Sequence, residues 1–307
     1  MFLNSELLKE PKASLIITYK NLGKYIKDCV SSILSQSYKN FEIIIVNDNS
    51  DEKNSKILSE FKDEKIKIIN LDKNFGQLCA FLEGVKVAKG EFICMIDADD
   101  VLLTNYLETL IKVHLENNVA LVSASCGEIN ENNEITSLNY IGNHFKNVCD
   151  TLKIEKVKAA FGVWSWNPST SGCFRKEALE ILNYFPDKNY WMTGADKVIF
   201  SLLDLIGGSI NVSEVCYMYR KHGQNHSTNS KTIGNKKIHN ENYTKTLIEW
   251  NKKLKIDTIK MFIKNKNELI QKYNKINYIK MFLYLIFYID KNLCAKAISA
   301  LAHKLIK

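Results

Sequence analysis

The stretch GEFICMIDADD, residues 90–100, runs an apolar segment directly into three carboxylates, Asp97, Asp99 and Asp100. FICMI (92–96) is short and apolar along its whole length, which is how a strand covered on both faces reads. Three upstream runs have the same character: ASLIITY (13–19), FEIIIVN (41–47) and KIKIINL (65–71). Between them, YIKDCVSSILSQ (25–36) sets Ile26, Cys29, Val30, Ile33 and Leu34 at helical spacing. FGQLCAFLEGVKVAKG (75–90) does so with Leu78, Phe81, Leu82 and Val85, and Gly90 stops it. Strands alternating with crossover helices predict an α/β fold with a mostly parallel sheet and helices on both faces. In such sheets ligands sit beyond the carboxyl ends of the strands. The three aspartates follow the fourth strand and Asp48 of VNDNSD follows the second, so four carboxylates are expected at one edge.

Composition sets the bounds. The chain has 307 residues and is 46% hydrophobic, enough for one large core or two modest ones. Its eight cysteines include no C-x-x-C pair, and Cys94 and Cys216 lie in apolar runs, so they read as reduced, buried thiols of a cytoplasmic protein. The N-terminus lacks the pattern of a secretory signal, and the longest apolar run, MFLYLIFYI (281–289), is about half the roughly 18 residues of a spanning helix. From position 231 on, 17 Lys face 5 acidic residues, a net +12, which leaves −4 for the first 230 residues of a chain that totals +8. The basic charge lies outside the α/β part, without zinc, helix-turn-helix or aromatic RNA signatures, so no nucleic-acid partner is expected.

Asp and Asn also cap helices and shape turns, a reading that stands beside the functional one for NDNSD. For Asp97, Asp99 and Asp100 together it is the weaker account, because uncompensated like charges raise one another's pKa and oppose folding. They call for a cation. Oxygen ligands on a short loop suit Mg²⁺ or Mn²⁺, usually held by one or two carboxylates while substrate phosphates complete the shell. A phosphorylated ligand is therefore expected. Neither G-x-G-x-x-G after the first strand nor a Walker loop is present, which removes the ordinary dehydrogenase and the ATPase.

Taken in order, ITY at the end of the first strand, VNDNS at the end of the second, NFG, KGEFICMIDADD, SGCFRKEAL, GAD before an apolar helix, and YRKHGQNHS resemble the family 2 glycosyltransferases of the Rossmann-like GT-A fold. The likeness covers roughly residues 12 to 228. It implies that Thr18, Tyr19, Asp48, Asn74, Gly76, Asp97 and Arg220 bind the nucleotide sugar, with Lys221 also near the diphosphate. Asp99 and His222 would hold Mn²⁺ or Mg²⁺, and Asp196 would be the catalytic base. Trp164, Trp166, Ser171 and Gly172 would face the acceptor. Other readings stand beside these: His222 as a surface histidine, Asp196 as a cap of the helix KVIFSLLDLI, the two Trp as plain core. The chain also departs from the family pattern, with Ala195 where Glu is common, Lys20 for Asn, and Phe81 and Leu82 for polar residues.

The resemblance implies an inverting, metal-dependent enzyme that moves a sugar from a UDP-sugar to a glycan or lipid-linked glycan hydroxyl, in assembly of bacterial surface polysaccharide, lipooligosaccharide or glycoprotein glycans. The alternatives are a sugar nucleotidyltransferase and an inactive nucleotide-sugar-binding protein. Residues 1–230 form the expected GT-A domain, with 1–100 as the nucleotide-sugar half and 101–230 as the acceptor and catalytic half. Residues 231–307 are expected as a basic helical extension. In its last segment, NLCAKAISALAHKLIK (292–307), Leu293, Ala297, Ile298, Leu301 and Leu305 recur at helical spacing while Lys296, Lys304 and Lys307 lie elsewhere, as an interfacial helix requires. Peripheral contact with the cytoplasmic face of the inner membrane and packing on the domain or a second subunit are both consistent with that pattern.

Overall fold

A computed structural model describes residues 10–138, 154–156, 167–184, 194–223, 225 and 264–289. Four apolar runs form parallel strands where the sequence expects them: β1 (Ala13–Tyr19), β2 (Phe41–Asn47), β3 (Ile66–Asn70) and β4 (Phe92–Asp97), side by side in the order β3-β2-β1-β4. The intervening helices are α1 (Ile26–Leu34), α2 (Glu52–Leu58) and α3 (Gln77–Val87). Asp51 caps α2, its carboxylate accepting from the Asn54 amide at 2.8 Å, so the capping reading of NDNSD holds for one of its aspartates.

The pleat sorts each strand's side chains to two faces. Ile16, Ile44, Val46, Ile93 and Met95 join one buried cluster with Leu78, Phe81 and Leu82 of α3. Leu15, Ile17, Ile43, Ile45, Cys94 and Ile96 join the other with Ile26, Cys29, Val30 and Ile33 of α1. Continuous apolar strands thus mean two buried faces, as expected. Phe81 and Leu82, which depart from the family pattern, are core residues. Cys29, Cys94, Cys126, Cys173 and Cys216 are buried thiols.

Beyond β4 the sheet becomes mixed. The described chain adds β5 (Val101–Leu102), α4 (Tyr106–Glu116), β6 (Leu121–Asn130), β7 (Ile135–Ser137), β8 (Ile154–Lys156), β9 (Gly172–Arg175), α5 (Ala195–Gly207) and β10 (Ser209–Lys221). Strand β9 inserts antiparallel between β4 and β6, and β10 runs parallel to β6. Two 3₁₀ turns, Ser169–Ser171 and Lys176–Tyr184, flank β9. Phe174 of β9 packs edge-on against Phe81 of α3 and Phe200 of α5, with ring centroids 6.0 and 5.4 Å away. That trio fixes α5 against α3.

The last described helix, α6 (Lys266–Ile289), is interrupted at Asn274, whose φ is 64°. Its Leu269 and Tyr278 lie in the same buried cluster as Leu182, Ala195 and Ile199. The change of charge at position 231 therefore does not coincide with the end of the packed core. Among the described residues, no helix is long and apolar enough to cross a membrane. Residues 290–307, including the amphipathic segment, lie outside the described residues.

Candidate active site

The carboxyl ends of β1, β2 and β4 form one edge. In register, Thr18 lies between Val46 and Asp97, and Tyr19 beside Asn47. Thr18 is half-buried there. Tyr19 points its ring into the core, and its hydroxyl donates to the Asn54 carbonyl at 3.0 Å, so its side chain joins β1 to α2. Asp48 is buried, and its two oxygens accept from the Phe75 and Gly76 amides at 2.7 and 2.9 Å. Asn74 accepts from the same Gly76 amide at 3.1 Å. Gly76 holds φ 87°, a left-handed value that an L side chain strains to adopt, and it starts α3 at the next residue. The Asp48 carboxylate and this glycine together shape the 74–76 loop.

Asp97, at the end of β4, is held from three sides. Its amide donates to Thr170 Oγ1 at 3.0 Å, its Oδ1 accepts from Gln77 Nε2 at 3.0 Å, and Ser169 hydrogen-bonds its carboxylate. Burial, then the charges of Asp99 and Asp196, push its pKa up to about 8, against the pull of Ser169 and Gln77. Asp196 is therefore an electrostatic neighbour of Asp97. It stands half-buried in the first turn of α5, where the helix dipole complements a carboxylate. Gly194, at φ 68°, turns the chain into that helix.

Asp99 meets His222, whose Nε2 lies 2.8 Å from Asp99 Oδ2, and the imidazole also packs on Tyr25 at 4.7 Å between centroids. The histidine side chain is buried, which removes the surface-histidine reading. Asp100 has a different role. It is fully buried, accepts from Thr170 Oγ1 at 2.5 Å and from the Arg220 amide at 3.0 Å, and burial with Asp99 and Asp97 holds its pKa well above the usual carboxylate range. It fastens the loop after β4 to β10.

Two further groups of expected site residues make their contacts within the fold. The Arg220 side chain is 1% exposed: Nε donates to the Asp99 carbonyl at 2.7 Å, a terminal nitrogen reaches Asp28 at 3.3 Å, and the guanidinium covers Tyr25 at 5.0 Å. It braces the Asp99 loop from beneath. Lys221, exposed, pairs with Glu128 at 2.6 Å. Ser171 and Gly172 are buried as well: Ser171 Oγ accepts from Ser123 Oγ at 2.9 Å and donates to the Asn167 carbonyl at 3.1 Å, and a Cβ on Gly172 would stand 2.6 Å from the Phe174 and Phe200 rings. Their segment supports Asp97 from the core side. Trp164 and Trp166 lie outside the described residues.

Sequence reading missed Gln77, Ser169 and Thr170, the neutral residues that orient Asp97. A signal existed for Gln77, a polar residue directly after a turn glycine and ahead of an apolar helix face. Serine and threonine of the 169–171 turn carried none, because their partners are about 70 positions away.

The donor set fits a hard divalent cation. Asp99 and His222 supply an oxygen and a nitrogen at one point, and the charges of Asp99 and Asp196 raise the proton affinity of Asp97. Among the described residues, no group of three or more His, Cys, Asp or Glu side chains gathers as a metal cluster.

A family model described as Glycosyl transferase family 2 matches residues 14–180. Glycosyltransferase GlyG of Streptococcus pneumoniae is 30% identical over 159 residues, 51% of this chain and 52% of GlyG. UDP-Glc:alpha-D-GlcNAc-diphosphoundecaprenol beta-1,3-glucosyltransferase WfgD of Escherichia coli is 32% identical over 119 residues, 39% of this chain and 47% of WfgD. The chain thus spans about half the length of these relatives. Among solved structures, S. aureus TarS 1–349 in complex with UDP-GlcNAc superposes with a TM-score of 0.58 at 16% identity, covering 92% of this chain and 82% of that one. At that identity the likeness is one of fold, and it agrees with the GT-A expectation.

Proposed function

Because the chain belongs to glycosyl transferase family 2, we propose that it transfers a sugar from a nucleoside diphosphate donor, with uridine as the base, to a hydroxyl of a glycan or lipid-linked glycan in bacterial glycan assembly. The observation that carries this reading is the meeting of Asp97, Asp99, Asp196 and His222 at the carboxyl edge of the sheet, from three separate parts of the chain. TarS, of the same fold, has been solved with UDP-GlcNAc and with UDP, and WfgD bears the name of a UDP-Glc-dependent enzyme.

The chemistry follows from the residues. The acceptor oxygen forms its bond to the anomeric carbon as the bond from that carbon to the phosphate oxygen breaks, the nucleoside diphosphate leaves with the electron pair, and the configuration inverts. Asp196 takes the proton of the attacking hydroxyl, a role worth roughly 10²- to 10⁴-fold. Asp97 contacts the donor ribose or the bound ion, and Asp48 holds the 74–76 loop that walls the nucleotide. Asp99 and His222 would hold Mn²⁺ or Mg²⁺, which supplies charge neutralisation at the leaving diphosphate. The basic tail supplies peripheral contact with anionic lipid, where each cation near the surface contributes about 1 kcal/mol.

The test is a screen of nucleotide sugars by thermal shift with and without Mn²⁺, followed by product analysis with glycan acceptors. A donor at 100-fold its Kd adds about 2.7 kcal/mol to stability. Transfer with release of nucleoside diphosphate supports the reading. Release of pyrophosphate from a nucleoside triphosphate and sugar phosphate would make the protein a nucleotidyltransferase, and donor binding without turnover an inactive binding protein. Asp99→Ala should remove any Mn²⁺ dependence of the shift, and a dependence that survives it would take Asp99 out of the metal site.

A further inference from the structure

The two helices that border the site both begin at a left-handed glycine, α3 after Gly76 and α5 after Gly194, and neither glycine has a side chain with which to cap its helix. The first amides of a helix have no partner within it. For α5 that need is met from another element: Gln77, the first residue of α3, accepts from the Ala195 amide through Oε1 at 3.1 Å. The other end of the same carboxamide donates through Nε2 to Asp97 Oδ1 at 3.0 Å. One side chain therefore touches both the carboxylate that ends β4 and the residue preceding Asp196.

The chemistry of the two partners leaves few residue types for this position. Asp97 Oδ1 accepts here and a backbone amide only donates, so the bridging group must offer a donor at one end and an acceptor at the other. Glutamine does so with one planar group of fixed geometry. An ionised glutamate would satisfy the amide and offer Asp97 Oδ1 no donor; a lysine would satisfy Asp97 and leave the amide bare. A methionine has similar length and neither function.

We propose that Gln77 is a positioning residue which sets Asp97 and the start of α5 at a fixed distance, so that the base Asp196 is aligned with the donor held at the strand end. This deepens the reading of the site as a glycosyltransferase centre and rests on it. Gln77 touches neither acceptor oxygen nor anomeric carbon in that scheme. It acts through alignment, where small misplacements carry large rate losses.

The test compares the full-length wild-type protein with Gln77→Met by amide hydrogen exchange and steady-state kinetics. The expected result is faster exchange at the Ala195 amide, a kcat lower by about tenfold or more, a donor KM changed by less than about threefold, and a melting temperature essentially kept. A purely structural glutamine would instead lower stability, with kcat per folded molecule intact. Unchanged exchange at Ala195 would overturn the proposal, and so would faster exchange with wild-type kcat. A wild-type protein that transfers no sugar in the donor screen would sink the functional reading, and the exchange measurement would still decide whether Gln77 holds the two elements together.

Discussion

At the scale of single residues, the site separates carboxylates by their company. Asp100 is enclosed by Thr170 and the Arg220 amide, Asp48 by two loop amides, whereas Asp97, Asp99 and Asp196 share one region. Asp196→Asn keeps shape and removes basicity, so it should lower kcat by about a hundredfold or more with little change in donor affinity. Equal loss of donor binding, measured by calorimetry, would assign Asp196 to the nucleotide site instead. A second expectation follows from Asp97. Its pKa in the folded protein, about 8, lies above the ordinary 3.8, so between those values the native state keeps a proton the unfolded chain has released, and stability falls as pH rises. Burial depresses His114 from 6.5 to about 4, which has the opposite sign and acts below pH 6.5. In chelator, the melting temperature of the wild type should therefore decline from pH 6.5 to 8, and Asp97→Asn should make that decline shallower, with buried Asp100, also raised, contributing in the same direction. Parallel pH curves for the two proteins would count against it.

At the scale of elements, the site depends on how β9 sits between β4 and β6. This short antiparallel strand carries Phe174 into contact with Phe81 and Phe200, and the 3₁₀ turn before it delivers Ser169 and Thr170 to Asp97. One insertion thus both packs α5 and orients a site carboxylate. Phe174→Ala should destabilise the protein by about 3–5 kcal/mol in denaturant titration, since Phe174 is fully buried and its ring neighbours belong to two separate helices that cannot both close on the void. A loss below about 1 kcal/mol would mean that these elements collapse freely and that the trio does not fix α5.

For the whole molecule, the question is what the C-terminal region does. Leu269 and Tyr278 of α6 complete the cluster that includes Ala195 and Ile199 of α5, and Lys272 pairs with Glu180. The first half of this helix is part of the core beneath the helix that carries Asp196. Leu269→Ala should cost about 2–5 kcal/mol. Removal of residues 231–307 should destabilise the protein by more, because it uncovers the whole contact. Lipid binding calls for a gentler change that leaves α6 in place. Ending the chain after Ile289 should preserve folding and reduce cosedimentation with anionic liposomes at low salt. Equal cosedimentation by the full and shortened chains would count against a lipid contact through residues 290–307.

The sequence by itself determined the parallel half of the sheet, its four strands and two of its helices, because a strand buried on both faces and a helix buried on one leave periodic traces in consecutive residues. It also located the edge where Asp48, Asp97 and Asp99 gather, since strand ends are local features. What only the tertiary structure decided depends on residues far apart in the chain. Burial of Arg220 follows from Asp28, Asn133 and the Asp99 carbonyl converging on it; enclosure of Ser171 and Gly172 follows from β9 lying inside the sheet. The partners of Gln77 stand 20 and 118 positions away. No period in the sequence records such distances, and a polar residue reads the same whether its partner is water or a carboxylate across the fold. Which aspartates brace the chain and which face the site was therefore settled by packing.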